Sequence, residues 1–223
     1  MSMVSIAIDG PSGAGKSTLA KKLAERLGFV YVDTGAIYRT IGLRALRSGT
    51  DPRNTTAVAA MLKSVHLEIR YGDDGLQHMI LDGKDVTEEI RLPEVSRYAS
   101  QVSAHPCVRD YLLEMQRSLA RTHSVIMDGR DIGTVVLPDA DVKIFLTAAP
   151  EERARRRCRE LEQRGTPQPY EEVLRDIRER DQNDMERPVA PLRQAEDAEL
   201  VDTTHLDFAA SLDTLENIIK EKL

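Results

Sequence analysis

Tryptophan is absent from this chain of 223 residues, and three Phe with six Tyr bring the aromatic share to only 4%. Single-stranded nucleic acid is gripped by aromatic platforms interleaved with cations, so no such platform is available here. Net charge points the same way: at −6, a general polyanion or acidic membrane surface is repelled rather than attracted. No stretch approaches the ~18 apolar residues of a membrane span, and the first apolar run is too short for a secretory h-region. Cys107 and Cys158 are the only cysteines. They form neither a disulfide framework nor a metal-binding spacing, and a reducing cytoplasm is the expected location. Internal repeats and low-complexity tracts are also missing.

What is present starts at residue 10. Gly10, Pro11, Ser12, Gly13, Ala14, Gly15, Lys16, Ser17 and Thr18 spell G-x-x-x-x-G-K-[ST] directly after the apolar run Val4–Ile8 and Asp9. At a strand-to-helix junction this pattern makes an anion nest, because loop N–H groups and the positive end of the following helix converge on phosphate. Lys16 is expected to reach the β- and γ-phosphates, and the Ser17 hydroxyl is the first candidate ligand for Mg²⁺. The motif predicts a nucleoside triphosphate binder but not the use made of the triphosphate.

The remaining pattern is mostly alternating strand and helix, which predicts a parallel sheet covered on both faces. Apolar runs at 4–8, 29–32, 125–127, 142–146 and 199–202 read as five buried strands. Leu19, Leu23 and Leu27 recur every four residues and end at Gly28, as a helix packed on that sheet requires. A further helix is expected over Ala36–Ser48, and others near 93–103, 106–121 and 208–219. Between about 60 and 95 the period changes to two. Alternating residues from Val65 to Tyr71, a run from Leu76 to Leu81 and the dipeptide Asp82-Gly83 predict three short antiparallel strands. These read as a subdomain inserted beside the nucleotide site. The stretch of about 152–187 is a polar, arginine-laden helix–loop–helix, suited to a lid over phosphates, with Arg153, Arg156 and Arg157 as its candidate contacts. The whole, 1–223, is one α/β domain of three layers with a five-stranded parallel sheet.

Ligands of open α/β sheets bind beyond the carboxyl ends of the strands. Three expected strands end in polar clusters there: Asp9-Gly10, Asp33-Thr34-Gly35, and Asp128-Gly129-Arg130-Asp131. Tyr38 and Arg39 follow the second cluster by one helical turn. Asp128, at the end of an apolar strand, fits the second acidic element of phosphate-loop proteins and would help hold Mg²⁺ through water.

Asp9–Thr18, Asp33–Arg39, Asp128–Asp131, and Arg180, Asp184 and Arg187 followed by Pro188–Leu192 occur in this order and spacing. Together they resemble the bacterial cytidylate kinases, over most of the chain and including the inserted three-stranded sheet. The resemblance implies transfer of the ATP γ-phosphate to CMP or dCMP with Mg²⁺, by a monomer that needs neither nucleic-acid polymer nor membrane. It places phosphate contacts on Arg39 and Arg130, cytosine contacts on Thr34, Arg109, Asp131 and Arg187, and sugar contacts on Ser100, Arg180 and Asp184. The inserted sheet becomes the monophosphate-binding subdomain. On the donor side the loop Gly10–Thr18 is joined by Arg156 and Arg157, and catalysis is assigned to Lys16, Arg130 and Asp131.

Elementary chemistry agrees with this pocket. A carboxylate accepts a hydrogen bond from the cytosine N4 amino group, and Asp131 suits it, while arginines donate to N3 and O2. Uracil would turn a carbonyl toward the carboxylate, leaving two acceptors opposed. Other uses of the triphosphate are less well supported. The Asn-Lys-x-Asp element of guanine switches and the Leu-Ser-Gly-Gly signature of transporter ATPases are both missing. UMP, AMP or a metabolite hydroxyl remains the rival acceptor. The hydroxyl would need a base, for which Asp33 or Asp131 is available.

Overall fold

Short runs of β-branched and aliphatic residues without polar alternation suit strands covered on both faces, and β-strands of this kind form the centre of the molecule. The computed structural model describes residues 3–72, 75–163 and 165–223. The first half of the chain contains β1 (Ser5–Asp9), α1 (Lys16–Leu27), β2 (Val30–Asp33), α2 (Thr34–Arg47), α3 (Thr55–Leu62), β3 (Leu67–Tyr71), β4 (Gln77–Leu81) and β5 (Lys84–Asp85). Next come α4 (Pro93–Val102), α5 (Pro106–Thr122), β6 (Val125–Gly129) and β7 (Val142–Thr147). The last elements are α6 (Pro150–Gln163), α7 (Tyr170–Glu186), β8 (Glu199–Asp202) and α8 (Phe208–Lys222).

Five strands pair in parallel in the order β2-β6-β1-β7-β8, and β3-β4-β5 form a separate antiparallel sheet. Side chains of successive strand residues point to opposite faces, and this divides the core in two. Ala7, Val32, Val125 and Met127 pack with Ile37, Ile41 and Leu112 on one side. Ile6, Ile8, Ile126 and Ile144 pack with Leu19, Leu23, Leu212 and Leu215 on the other. Register then decides where function can sit. Asp9 lies opposite Gly129, and Asp33 opposite Asp128, so the polar strand ends share one edge of the sheet.

The small sheet closes the open edge at β2. The Gln77 carboxamide accepts from the Asp33 N–H (2.8 Å) and donates to the Asp33 carbonyl (3.2 Å), while the Tyr71 hydroxyl donates to the Tyr31 carbonyl (3.2 Å). A side chain thus replaces the next strand, satisfying an edge that would otherwise recruit another chain. α6 and α7 form a hairpin with its own small core of Ala154, Leu161, Val173, Leu174 and Ile177. Among the described residues no helix is long and apolar enough to cross a membrane.

Three local details differ from the sequence expectation. α2 begins at Thr34, two residues early, because the Asp33 carboxylate accepts from the Ala36 N–H (2.8 Å) and caps it. α3 was not expected; its eight residues are too few to show a period, although Asn54 caps it by accepting from the Ala57 N–H (3.0 Å). Residues Ile132–Val136 form a π turn, which no composition signal announces. Asp73 and Asp74 of the expected turn lie outside the described residues.

α2 crosses α4 at Gly42, where a Cβ would stand 2.7 Å from the Ala99 backbone nitrogen. Gly42→Ala gains up to about 1 kcal/mol of helix propensity. Forcing two helix backbones apart costs about 1–3 kcal/mol, so the clash wins. Urea unfolding of Gly42→Ala is expected to show a net loss near ~1 kcal/mol; a stabilised variant would contradict this packing.

Candidate active site

The phosphate loop leaves β1 at Gly10, whose φ of 149° and closeness to β7 admit no side chain: a Cβ there would lie 1.9 Å from the Leu146 carbonyl oxygen. Gly15, at φ 92°, starts α1 without a side-chain cap, so the first N–H groups of that helix are left for an anion. Lys16 is buried beneath the loop and its Nζ donates to the Pro11 carbonyl (2.8 Å). Burial and the nearby Arg130 guanidinium drive its pKa down to about 7, while Asp128 and Asp9 pull it back up. The lysine needs an anion to complete its charge balance.

Beside the loop, Asp128 receives two hydroxyls. Ser17 Oγ donates to Oδ2 (2.7 Å) and Tyr31 Oη donates to Oδ1 (2.9 Å). Burial raises the Asp128 pKa and the charge of Asp33 raises it further, with Lys16 acting against both. Thr34 is buried at the start of α2 and donates through Oγ1 to the Asp128 carbonyl (2.7 Å). That bond ties the second polar cluster to the third.

Across the sheet edge lies a pocket built from buried ion pairs. Asp131 accepts from Arg109 Nη1 (2.8 Å) through Oδ2 and from Arg187 Nη2 (3.1 Å) through Oδ1. Arg109 also donates to the Ser103 carbonyl (2.8 Å) and stands 5.5 Å from the centre of the Tyr38 ring. Arg130 Nε donates to Asp184 Oδ2 (2.8 Å), which holds the arginine charged despite its burial. Arg39 pairs with Asp33 (2.7 Å). Like Arg39, Arg180 buries an Nε that has no acceptor. Burial lowers its pKa to about 10, with Arg130, Arg39 and Arg157 adding repulsion. Ser100 is half-buried near the end of α4.

The helical hairpin divides the expected lid arginines. Arg153 is no mobile contact. It is 3% exposed, forks onto Asp181 with bonds of 3.0 and 2.6 Å, and donates to the Ser12 carbonyl (3.0 Å). It braces the phosphate loop against α7, and a partner 28 residues away is not readable from sequence spacing. Arg156 donates to the Thr203 carbonyl (2.6 Å) and lies 3.4 Å from the Ala14 carbonyl. Arg157 is more exposed and pairs with Glu160 (2.7 Å). Asp33, named as a possible base, is occupied by the α2 cap and by Arg39.

Sequence reading passed over three supporting residues. Asp9 was seen only as a strand end, yet its carboxylate accepts from the Ile132 and Gly133 N–H groups (2.8 and 2.7 Å). Tyr31 was seen as strand filler, and Gln77 as part of a hairpin. Only Tyr38 carried a signal, standing one turn beyond Thr34 on the same helix.

The glycine loop lies at the same sheet edge as a cluster of buried and half-buried arginines that outnumber the acids paired with them. A phosphate loop and an arginine cluster at one edge of such a sheet fit a kinase of the phosphate-loop class. A sequence model of the family described as cytidylate kinase matches residues 6–221. The chain is 53% identical over 208 residues to a cytidylate kinase of Caldicellulosiruptor bescii, covering 93% of this chain and 92% of the relative. It is 49% identical over 223 residues to that of Caldicellulosiruptor saccharolyticus, covering 100% and 95%. The chain belongs to the cytidylate kinase family and is a phosphotransferase with a phosphate group as acceptor. A solved but uncharacterised protein from Eubacterium ventriosum shares the fold at TM-score 0.56 and 14% identity, over 98% of this chain and 99% of that one.

The lowered Lys16 pKa has a measurable consequence. Burial and Arg130 lower the Lys16 pKa to about 7, so at pH 8 the lysine of the free enzyme carries less than a full proton. Phosphate oxygens around it restore the charge, while at this pH the nucleotide phosphate has no proton left to release. Calorimetry of ATP-analogue binding at pH 8, in buffers of different ionisation enthalpy, is expected to show uptake of somewhat under ~1 proton. Lys16→Met should abolish the uptake; wild-type binding without it would mean that the lysine is already charged.

Proposed function

We propose that this kinase transfers the γ-phosphate of ATP to CMP or dCMP across the gap between the phosphate loop and the arginine pocket. The observation that carries the acceptor assignment is the buried Arg109–Asp131–Arg187 triad. Each Asp131 oxygen can accept two hydrogen bonds, and the arginines use one on each, so capacity remains for the N4 amino group of cytosine. Arg109 and Arg187 are fixed by the same carboxylate as donors for N3 and O2. Thr34 adds a hydroxyl oxygen that is still able to accept. The Nε of Arg180, buried and without an acceptor, fits a place kept for a substrate oxygen, with Asp184 and Ser100 nearby for the sugar. Arg39 and Arg130 take the acceptor phosphate.

This arrangement supports a phosphate acceptor over a hydroxyl. An anionic phosphate oxygen needs no base, and the two candidate carboxylates, Asp33 and Asp131, are both committed to arginines. Catalysis then comes from positioning and from charge placed where it develops in the transition state. Lys16 and the loop Gly10–Thr18 hold the donor phosphates, and Arg130 faces both substrates. We assign Arg156 and Arg157 to the donor nucleotide and the hairpin of about 152–187 to a lid that excludes water. The three-stranded insert supports the acceptor side through Gln77 and Asp33.

Mg²⁺ fits at Ser17 and Asp128. A hydroxyl and a buried carboxylate 2.7 Å apart are hard oxygen ligands beside the donor phosphates. Among the described residues no group of three or more His, Cys, Asp or Glu could hold a metal by itself. That suits an ion taking most of its ligands from phosphate and water. When bound, it neutralises charge on the β- and γ-phosphates.

Competing acceptors in one assay test the reading. CMP is expected to exceed UMP and AMP in kcat/KM. Asp131→Asn should lower kcat/KM for CMP by roughly 10²-fold and narrow the CMP-to-UMP ratio, because an amide can donate to the uracil carbonyl. It should also cost about 3 kcal/mol in urea unfolding, since two buried guanidinium groups lose their counter-charge. An unchanged ratio would mean that the base is read elsewhere.

A further inference from the structure

Asp9 takes no part in the chemistry above, yet it is 5% exposed and is the last residue before the phosphate loop. Its two oxygens accept from the N–H groups of Ile132 and Gly133, at 2.8 and 2.7 Å. Those amides open the π turn Ile132–Val136, which follows directly on Arg130 and Asp131. Arg117 of α5 holds the other end, donating from Nε to the Val136 carbonyl and from Nη2 to the Val135 carbonyl, both at 2.9 Å. A π turn is rarely stable by itself, and this one is gripped at both ends by charged side chains. The choice of acid is specific. An amide has one acceptor oxygen, and its NH₂ would face the second N–H.

We propose that Asp9 is a positioning residue: it fixes the loop carrying Arg130 and Asp131 against the start of the phosphate loop, with Arg117 as second anchor, so that acceptor recognition is registered to the donor site. This rests on the reading that Arg130 and Asp131 contact CMP. A merely structural acid would, when lost, weaken both substrates alike. A positioning acid acts on one side. Its carboxylate touches the turn behind Asp131, whereas the loop from Gly10 onward keeps its own backbone constraints at Gly10 and Gly15.

The test compares Asp9→Asn, Arg117→Met and Asp131→Asn in the full-length enzyme. KM and kcat are measured for CMP and for UMP, and the affinity for a non-hydrolysable ATP analogue is measured separately by calorimetry. Asp9→Asn is expected to raise the KM for CMP about tenfold or more and to narrow the CMP-to-UMP preference, because small misplacements of a contact group are costly. ATP-analogue affinity should fall by a clearly smaller factor, because on the donor side Asp9 acts only through its charge near Lys16. Arg117→Met should shift CMP in the same direction by a smaller factor. If Asp9→Asn does not fold, Arg117→Met carries the test alone, and an unchanged CMP response there overturns the proposal. Equal losses for CMP and the ATP analogue overturn it too. A flat Asp131→Asn control would overturn the reading of the base pocket itself, whereas a responsive control beside a flat Asp9→Asn overturns only the anchor.

Discussion

Buried arginines need buried acids, and that requirement governs the site. A guanidinium removed from water without a partner is costly, and breaking a buried pair by removing one partner costs about 3–5 kcal/mol. Asp131 balances Arg109 and Arg187, and Asp184 balances Arg130. The acids come from the segment after β6 and from α7, and the arginines from α5, from that same segment and from the stretch after α7. Each pair is therefore also a tertiary tie. The ion pairs proposed to read the acceptor also hold α7 to the sheet. Weakening recognition and weakening the fold cannot be separated at these positions.

The sheet makes such pairing possible. Parallel register brings Asp9, Asp33 and Asp128 to one edge, where their mutual repulsion would be unfavourable without nearby cations. Lys16 and Arg130 supply the opposing charge. The small sheet contributes none of the proposed substrate contacts. Its effect is indirect: Gln77 pins the backbone of Asp33, and Asp33 in turn caps α2 and orients Arg39. The insert thus reaches the site through backbone geometry rather than through chemistry.

Much of this was readable from the residues alone, and the divide between what was and was not has a physical basis. The phosphate loop and the five strands are local patterns, set by a fixed spacing or a run of apolar residues. The three-stranded insert showed itself as a change of period between Val65 and Leu81. Long-range polar pairing leaves no such trace. Asp9 reaches across 123 residues to Ile132, and Arg153 looked like one more exposed lid arginine until Asp181 and the Ser12 carbonyl enclosed it. A charge-rich helix has the same composition whether its cations face water or a buried carboxylate. The π turn was hidden for a related reason, since Asp9 and Arg117 hold it from outside and its own residues do not.

Pairing is incomplete in the arginine cluster, where Arg39 and Arg180 each bury an Nε without an acceptor. Arg130, Arg39 and Arg157 add to the burial that lowers the pKa of Arg180. Lys16 is depressed by burial and by Arg130. The acids satisfy the arginines that hold the pocket's shape and leave positive charge uncompensated between the two substrates. On the proposed reading, a phosphate placed there relieves that repulsion, which favours binding. The same excess favours the transition state, where negative charge spreads over the transferring group between Lys16 and Arg130. A site with every cation paired would be more stable when empty and weaker toward both substrates.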